Sequence, residues 1–174
     1  MKQAALLLKA MLQVTDKPMI KKLELLIPPP IVAFVCAIAM WLLWYAFPGY
    51  EIFIAGTFRL VVALVLVVLG MILGLGAVLG FRRQRTTVNP MDPQATSALV
   101  TGGLYRFSRN PMYLGVLLFL IAFAVALGNP VSVVPVVCFV LYITIFQIKP
   151  EERIIAEDFG DAFSDYSGKV RRWI

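Results

Sequence analysis

The residues best suited to chemistry stand together at Gly102-Gly103-Leu104-Tyr105-Arg106-Phe107-Ser108-Arg109-Asn110-Pro111-Met112-Tyr113-Leu114-Gly115. Two glycines permit a sharp turn, and the Asn-Pro pair then starts a helix, because Asn is a preferred N-cap and Pro is pre-organised for the first helical position. The free N–H groups of such a start attract anions. Arg106 and Arg109 lie just outside it, and Tyr105 and Tyr113 offer flat faces to an aromatic or cationic ligand. Taken alone, the same residues also suit a juxtamembrane loop with lipid-facing arginines and interfacial tyrosines. A second chemical cluster, Glu151-Glu152-Arg153, follows the last apolar run. Adjacent carboxylates there are ordinary capping chemistry as well as a candidate site.

Composition narrows the chemistry. The chain has 174 residues, 60% of them hydrophobic and 15% charged, which is too apolar for a soluble surface and marks an integral membrane protein. It has no histidine, so the commonest general base and the commonest metal ligand are both absent, and no metal site is expected. Cys36 and Cys138 each sit inside an apolar run and read as small buried hydrophobes, not a disulfide framework. The net charge of +6 comes from basic residues beside hydrophobic spans. Anionic membrane lipids are therefore the expected partner, with no nucleic acid and no protein partner.

The elements that must position the clusters are helices. Residues 1–30 place Leu6, Leu7, Met11, Val14, Met19, Leu23, Leu26 and Ile27 at roughly helical spacing among lysines, which predicts an amphipathic interfacial segment interrupted at Pro18. Pro28-Pro29-Pro30 should end it in an extended hinge. Residues 31–174 form a single membrane domain whose spans are expected at about 31–47, 58–81, 111–127 and 131–148. Trp41, Trp44 and Tyr45 fit an aromatic belt, and Arg59 can snorkel at the start of the second span. Gly70, Gly74, Gly76 and Gly80 permit close helix approach, more readily within the chain than between chains. Pro135 either kinks the fourth span or is absorbed in its first turns. Five Lys in residues 1–30, five Arg in 81–109 and five basic residues in 149–174 face turns in which Arg59 is the sole cation. The positive-inside rule then puts both termini and the Asn110-Pro111 motif on the cytoplasmic side of a multi-pass protein.

In the tail, Phe159, Phe163, Tyr166 and Val170 recur at helical spacing, while Asp158, Asp161 and Asp165 lie off that face. This predicts an amphipathic cytoplasmic helix that folds back over the motif as a lid.

The pattern Gly-x-Tyr-x-x-x-Arg-x-Pro-x-Tyr-x-Gly, followed after a helical hairpin by the Glu pair and by Phe159-Gly160-Asp161-Ala162-Phe163-Ser164-Asp165-Tyr166-Ser167-Gly168-Lys169-Val170, resembles the signature of the isoprenylcysteine carboxyl methyltransferases and the related phospholipid methyltransferases. The resemblance covers about residues 88–171. It implies an all-α integral membrane methyltransferase that uses S-adenosylmethionine and a lipophilic acceptor entering from the bilayer. Carried over by position, it implies cofactor contacts from Ser97, Ala98, Leu99, Val100, Tyr105, Asn110, Pro111, Met112, Tyr113 and Glu151. Three positions depart from the family pattern: Asn110 stands where the family usually has His, Phe163 replaces a Tyr, and Gln147 replaces an Arg thought to hold a prenylcysteine carboxylate. A neutral amide cannot supply that charge, which leaves Arg109 or Arg153 to do so.

The expected reaction is an in-line displacement at a sulfonium, with Arg109, Tyr113, Glu152 and Arg153 as the catalytic candidates. A carboxylate acceptor needs no general base. An amine lipid must lose a proton, to Glu151, Glu152 or Tyr113. The resemblance thus implies an isoprenylcysteine-type carboxyl O-methyltransferase, with phospholipid amine N-methylation as the alternative. An NADPH-dependent protein like the sterol reductases, which share an Arg-x-Pro-x-Tyr motif, and a non-catalytic membrane scaffold are the readings from other classes.

Overall fold

The computed structural model describes residues 23–50, 55–83 and 98–174. The expected amphipathic segment up to residue 22, Ser97, and most of the polar connection after the second span lie outside the described residues. Among those described, the secondary structure is helical with no strand.

Helix α1 runs Pro29–Ala46. Only Pro28 is extended, with φ −54° and ψ 133°. Pro29 and Pro30 occupy the first turn, where the missing N–H groups would have had no helical partner. The proline run therefore starts the span, which corrects the expected extended hinge. Near the other end Trp41 and Tyr45 stack with ring centroids 6.1 Å apart on the exposed surface, as an interfacial aromatic belt requires.

Helix α2 spans Gly56–Arg83 and helix α3 Pro111–Leu127, the latter with the bounds read from the sequence. These two form the most extensive helix pair among the described residues. Their contact is built on backbone: a Cβ on Gly115 would lie 2.8 Å from the Gly70 carbonyl oxygen and 3.1 Å from the Gly74 nitrogen. The glycine spacings of α2 thus serve packing within the chain. Helix α3 ends on Gly128, whose φ of 64° gives the left-handed cap that an L side chain resists.

The hairpin turn is polar and fully satisfied. Buried Asn129 donates to the Phe47 carbonyl at 2.7 Å and accepts from the Val131 N–H at 2.9 Å, and the Ser132 hydroxyl donates to the Met40 carbonyl at 3.2 Å. A 3-10 turn over Pro130–Val133 leads into α4, Val134–Ile143, with Pro135 absorbed in its first turn. Met40, Phe139, Ile143 and Ile148 are fully buried where α1 and α3 meet α4. Cys36 joins this core, but Cys138 is exposed on the helix surface and unbridged, contrary to the expectation that both are buried.

The helix does not stop at Ile148, where the apolar run ends. A π-helical turn over Thr144–Ile148 carries it directly into α5, Lys149–Lys169. Pro150 explains how the two join. Having no N–H, it cannot bond to the carbonyl four residues back, and that carbonyl, of Phe146, accepts the Leu25 N–H at 2.9 Å instead. The wider π turn makes room for the proline ring. The segment before α1 is thereby hooked onto the junction that carries the carboxylates.

Three helical stretches, Pro29–Ala46, Gly56–Arg82 and Pro130–Lys169, are long and apolar enough to cross a membrane, and Pro111–Leu127 is a shorter apolar helix between them. Leu60, Val61, Leu64, Ile72 and Leu75 of α2 are exposed, as lipid-facing side chains are. With so many apolar groups turned outward, the fold is that of an all-α integral membrane protein.

Candidate active site

The motif begins with a 3-10 turn over Gly103–Arg106, with Gly103 at φ 62°. Tyr105 is buried in a small cluster with Ala77 and Val100, against Phe81, Met112 and Tyr166. Its ring meets Phe81 edge to face, centroids 5.4 Å apart. This pins the turn to the end of α2. Burial, then neighbouring Tyr166 and Glu151, push the Tyr105 phenol well above its ordinary range and keep it protonated. Arg106 is exposed and turns away from the cluster.

Asn110 occupies the cap position of α3, but its side chain makes no cap bond. Its Nδ2 donates instead to the Arg172 carbonyl at 2.9 Å, and its own N–H donates to buried Ser108 Oγ at 3.1 Å. The helix starts where the Asn-Pro pair predicts, while the Asn side chain serves the tail in place of the cap. Pro111 has no N–H, and the Asn110 carbonyl takes the Leu114 N–H, so the Met112 and Tyr113 N–H groups open the helix without intrahelical partners.

The carboxylates stand one turn beyond the π segment and point apart, as adjacent helical residues must. Glu151 Oε1 accepts from the Tyr113 hydroxyl at 2.5 Å and from Gln147 Nε2 at 2.6 Å. Both bonds converge on one oxygen, and among the described residues Oε2 is left for another donor. Desolvation by burial, aided by the charge of Glu152, pushes the Glu151 carboxyl up to about 7 against the opposing bonds from Tyr113 and Gln147. Glu152 belongs to a different set. Arg172 grips it with Nη2 at 2.6 Å and Nε at 3.1 Å, and Arg109 Nη2 lies 3.2 Å away.

Beyond Gly160 the tail turns. Gly160 has φ 48° and ψ −121°, so α5 is two helical pieces across a kink. The four-residue aromatic face expected on one continuous helix is therefore broken at Gly160. The second piece still buries Phe163, and the Tyr166 hydroxyl donates to the Tyr105 carbonyl at 2.7 Å. The last residues then run back along the motif as an extended strap. The Arg109 N–H donates to the Arg171 carbonyl at 3.0 Å, Asn110 holds Arg172, and Trp173 Nε1 donates to Thr144 Oγ1 at 3.1 Å.

The structure thus brings together Val100, Tyr105, Arg109, Asn110, Pro111, Met112, Tyr113, Glu151 and Glu152, with Ala98 and Leu99 partly buried on the approach to Val100. Arg153 is set apart: half exposed, it pairs with Glu24 at 2.6 Å. Sequence reasoning misses Arg172 and Trp173, and it marks Gln147 for the charge it lacks and not for the bond it makes. An aromatic and a cation at the chain end are the available signal, but an extended segment has no periodicity to announce its partners. Among the described residues no cluster of side chains could hold a metal ion.

Arg172 tests the strap. Arg172→Ala should lower stability by roughly 1 kcal/mol, a modest figure because the pair is partly exposed. It should also speed hydrogen exchange of the Arg109 amide. An unchanged exchange rate there would show that Asn110 and Trp173 hold the strap alone.

A helical membrane bundle with an enclosed carboxylate at the open end of a helical hairpin defines the class. Its family follows from comparison with known proteins. Residues 58–162 match the family model described as phospholipid methyltransferase, and the chain belongs to that family. It is 30% identical over 107 residues to protein-S-isoprenylcysteine O-methyltransferase A of Arabidopsis thaliana, covering 62% of this chain and 54% of the relative. A probable protein-S-isoprenylcysteine O-methyltransferase of Oryza sativa subsp. indica is 33% identical over 112 residues, covering 63% and 57%. An uncharacterized protein of Haemophilus influenzae is 44% identical over 63 residues, 36% of this chain and all of that one. The chain spans about half the length of the isoprenylcysteine methyltransferases it matches. No solved structure matches.

Proposed function

We propose that the protein transfers a methyl group from S-adenosylmethionine to a lipophilic acceptor at the membrane edge. The observation that carries this reading is the enclosed carboxyl of Glu151 beside the opening turn of α3, with Oε2 unshared among the described residues. The donor set fits the cofactor: an anionic oxygen suits its cationic groups, the Met112 and Tyr113 N–H groups suit its carboxylate, and apolar Val100 and Met112 suit its adenine. When bound, the cofactor supplies an electrophilic methyl group. The chain supplies alignment, exclusion of water, and a proton acceptor where the nucleophile needs one.

The relatives' names favour a carboxyl acceptor of the isoprenylcysteine type, whereas the raised carboxyl of Glu151 favours an amine. A carboxylate acceptor needs a cation to hold it; among the described residues Arg172 grips Glu152 and Arg153 pairs with Glu24, while Arg109 shares Glu152 through Nη2 and keeps a buried Nε without a partner, the donor that such a carboxylate would use. An amine needs a base poised near neutral pH, and Glu151 has that character. Both termini and the motif lie on the cytoplasmic side in this reading, supported by the basic residues around them.

Incubating the purified protein in vesicles with labelled S-adenosylmethionine should label phosphatidylethanolamine in preference to an S-prenylcysteine. Preferential labelling of the prenylcysteine would restore the carboxyl acceptor. Calorimetry should show S-adenosylhomocysteine binding. Binding of NADPH alone would instead indicate reductase-like chemistry, and binding of neither a scaffold.

A further inference from the structure

At the hairpin end of the bundle, at the opposite end of α3 from the motif, the first turn of α2 and the close of α3 enclose a groove of about 230 Å³. Ile121, Ala124, Val125, Val133 and Val136 give it apolar walls, and Arg59 stands at its edge. Arg59 has an unusual setting. Its guanidinium crosses directly over Gly128, where any Cβ would overlap Nη1, so only glycine leaves room for it. Among the described residues its bond from Nη1 to the Leu127 carbonyl is long at 3.5 Å, and its buried Nε has no partner. By contrast the other polar groups of this end, Asn129 and Ser132, are satisfied.

A guanidinium has five N–H donors; Arg59 is partly buried, and an Nε buried without an acceptor is costly. This one also sits in the first turn of α2, where no acidic residue is present and the helix N-terminus itself favours an anion. The Leu127 carbonyl at the end of α3 answers part of that need, but not Nε. What is missing is a bidentate anionic acceptor joined to an apolar body, and in a bilayer that combination is a phospholipid.

We propose that this groove binds a glycerophospholipid, with the phosphodiester on Arg59 and the α2 start and one acyl chain along Ile121, Ala124 and Val136. The occupant is a lipid of the leaflet opposite the motif loop, held apart from the methylation site. It would complete the packing between α2 and α4, which the chain leaves open here.

Native mass spectrometry of the full-length protein, released into mild detergent and titrated with phosphatidylglycerol, tests this. The wild type should retain one lipid that Arg59→Gln binds at least tenfold more weakly, and diacylglycerol, which lacks the phosphate, should not replace it. Arg59→Lys should keep an intermediate affinity, since the charge remains without the planar fork. Ala124→Phe should also expel the lipid by filling the groove while Arg59 is retained. Equal retention by wild type and Arg59→Gln in samples that melt alike would overturn the proposal. So would equal binding of diacylglycerol, which would reduce the site to a greasy groove. A Glu151→Gln control should keep the lipid, since that residue belongs to the other end of the bundle.

Discussion

Glu151→Gln should weaken S-adenosylhomocysteine binding by about ten- to a hundredfold, the loss of a charge-assisted contact worth roughly 1.5–3 kcal/mol. The amide keeps the shape, and Tyr113 and Gln147 still surround it, so the fold should survive. Glu152→Gln should act differently. That residue holds Arg109 and Arg172, so its loss should cost stability and strap order more than cofactor affinity. Calorimetry on both variants separates the roles, and equal small effects on affinity would remove Glu151 from the site.

The pH profile gives a second handle on the same residue. Because burial raises the Glu151 carboxyl to about 7, a cationic ligand meets it ionised above that pH and neutral below. Affinity should therefore be full above about pH 7 and fall as pH drops through it, and Glu151→Gln should flatten the curve. The ligand-free protein should show the opposite trend in stability. Its raised carboxyl takes up a proton on folding, so this contribution declines as pH rises from the unfolded carboxylate value of about 4.3 towards 7. A binding curve flat in the wild type between pH 6 and 8 would contradict the assignment.

The largest effect on stability should come from Gly115. Ala normally favours a helix over Gly by about 1 kcal/mol. Here the new methyl meets the Gly70 carbonyl and the Gly74 nitrogen, backbone atoms that cannot rotate aside, so α2 and α3 must part. Overpacking costs about 1–3 kcal/mol, enough to outweigh the propensity gain, and Gly115→Leu should cost more still. Gly74→Ala is the control. A Cβ there meets nothing within 4 Å, so the variant should be neutral or slightly stabilised. Thermal melts in one detergent rank the three, and a Gly115→Ala protein as stable as wild type would mean that the helix pair tolerates separation.

Much of the site is legible in the sequence because its parts are local. Pro111 after Asn110 determines where α3 starts, the apolar run from there determines where it ends, and the Gly102-Gly103 turn places Tyr105 ahead of it. Periodicity and hydropathy carry such information along the chain, since each signal depends on neighbours within a turn or two. The inward face of Phe163, Tyr166 and Val170 is legible for the same reason, although Gly160 at positive φ breaks the helix that carries it.

What tertiary structure decided are pairings between residues far apart. Nothing near Asn110 says that its amide holds Arg172 and not the first turn of its own helix. Gln147 lies within one turn of Glu151, but nothing near Glu151 says that Tyr113 shares the same oxygen while Glu152 turns to Arg109 and Arg172. The strap over Arg171 to Trp173 is extended and aperiodic, and the Phe146 carbonyl finds Leu25 only because Pro150 has no N–H to offer it. Each of these bonds answers a donor or acceptor left unpaired by local structure. The sequence shows that such groups exist; packing in three dimensions determines which one meets which.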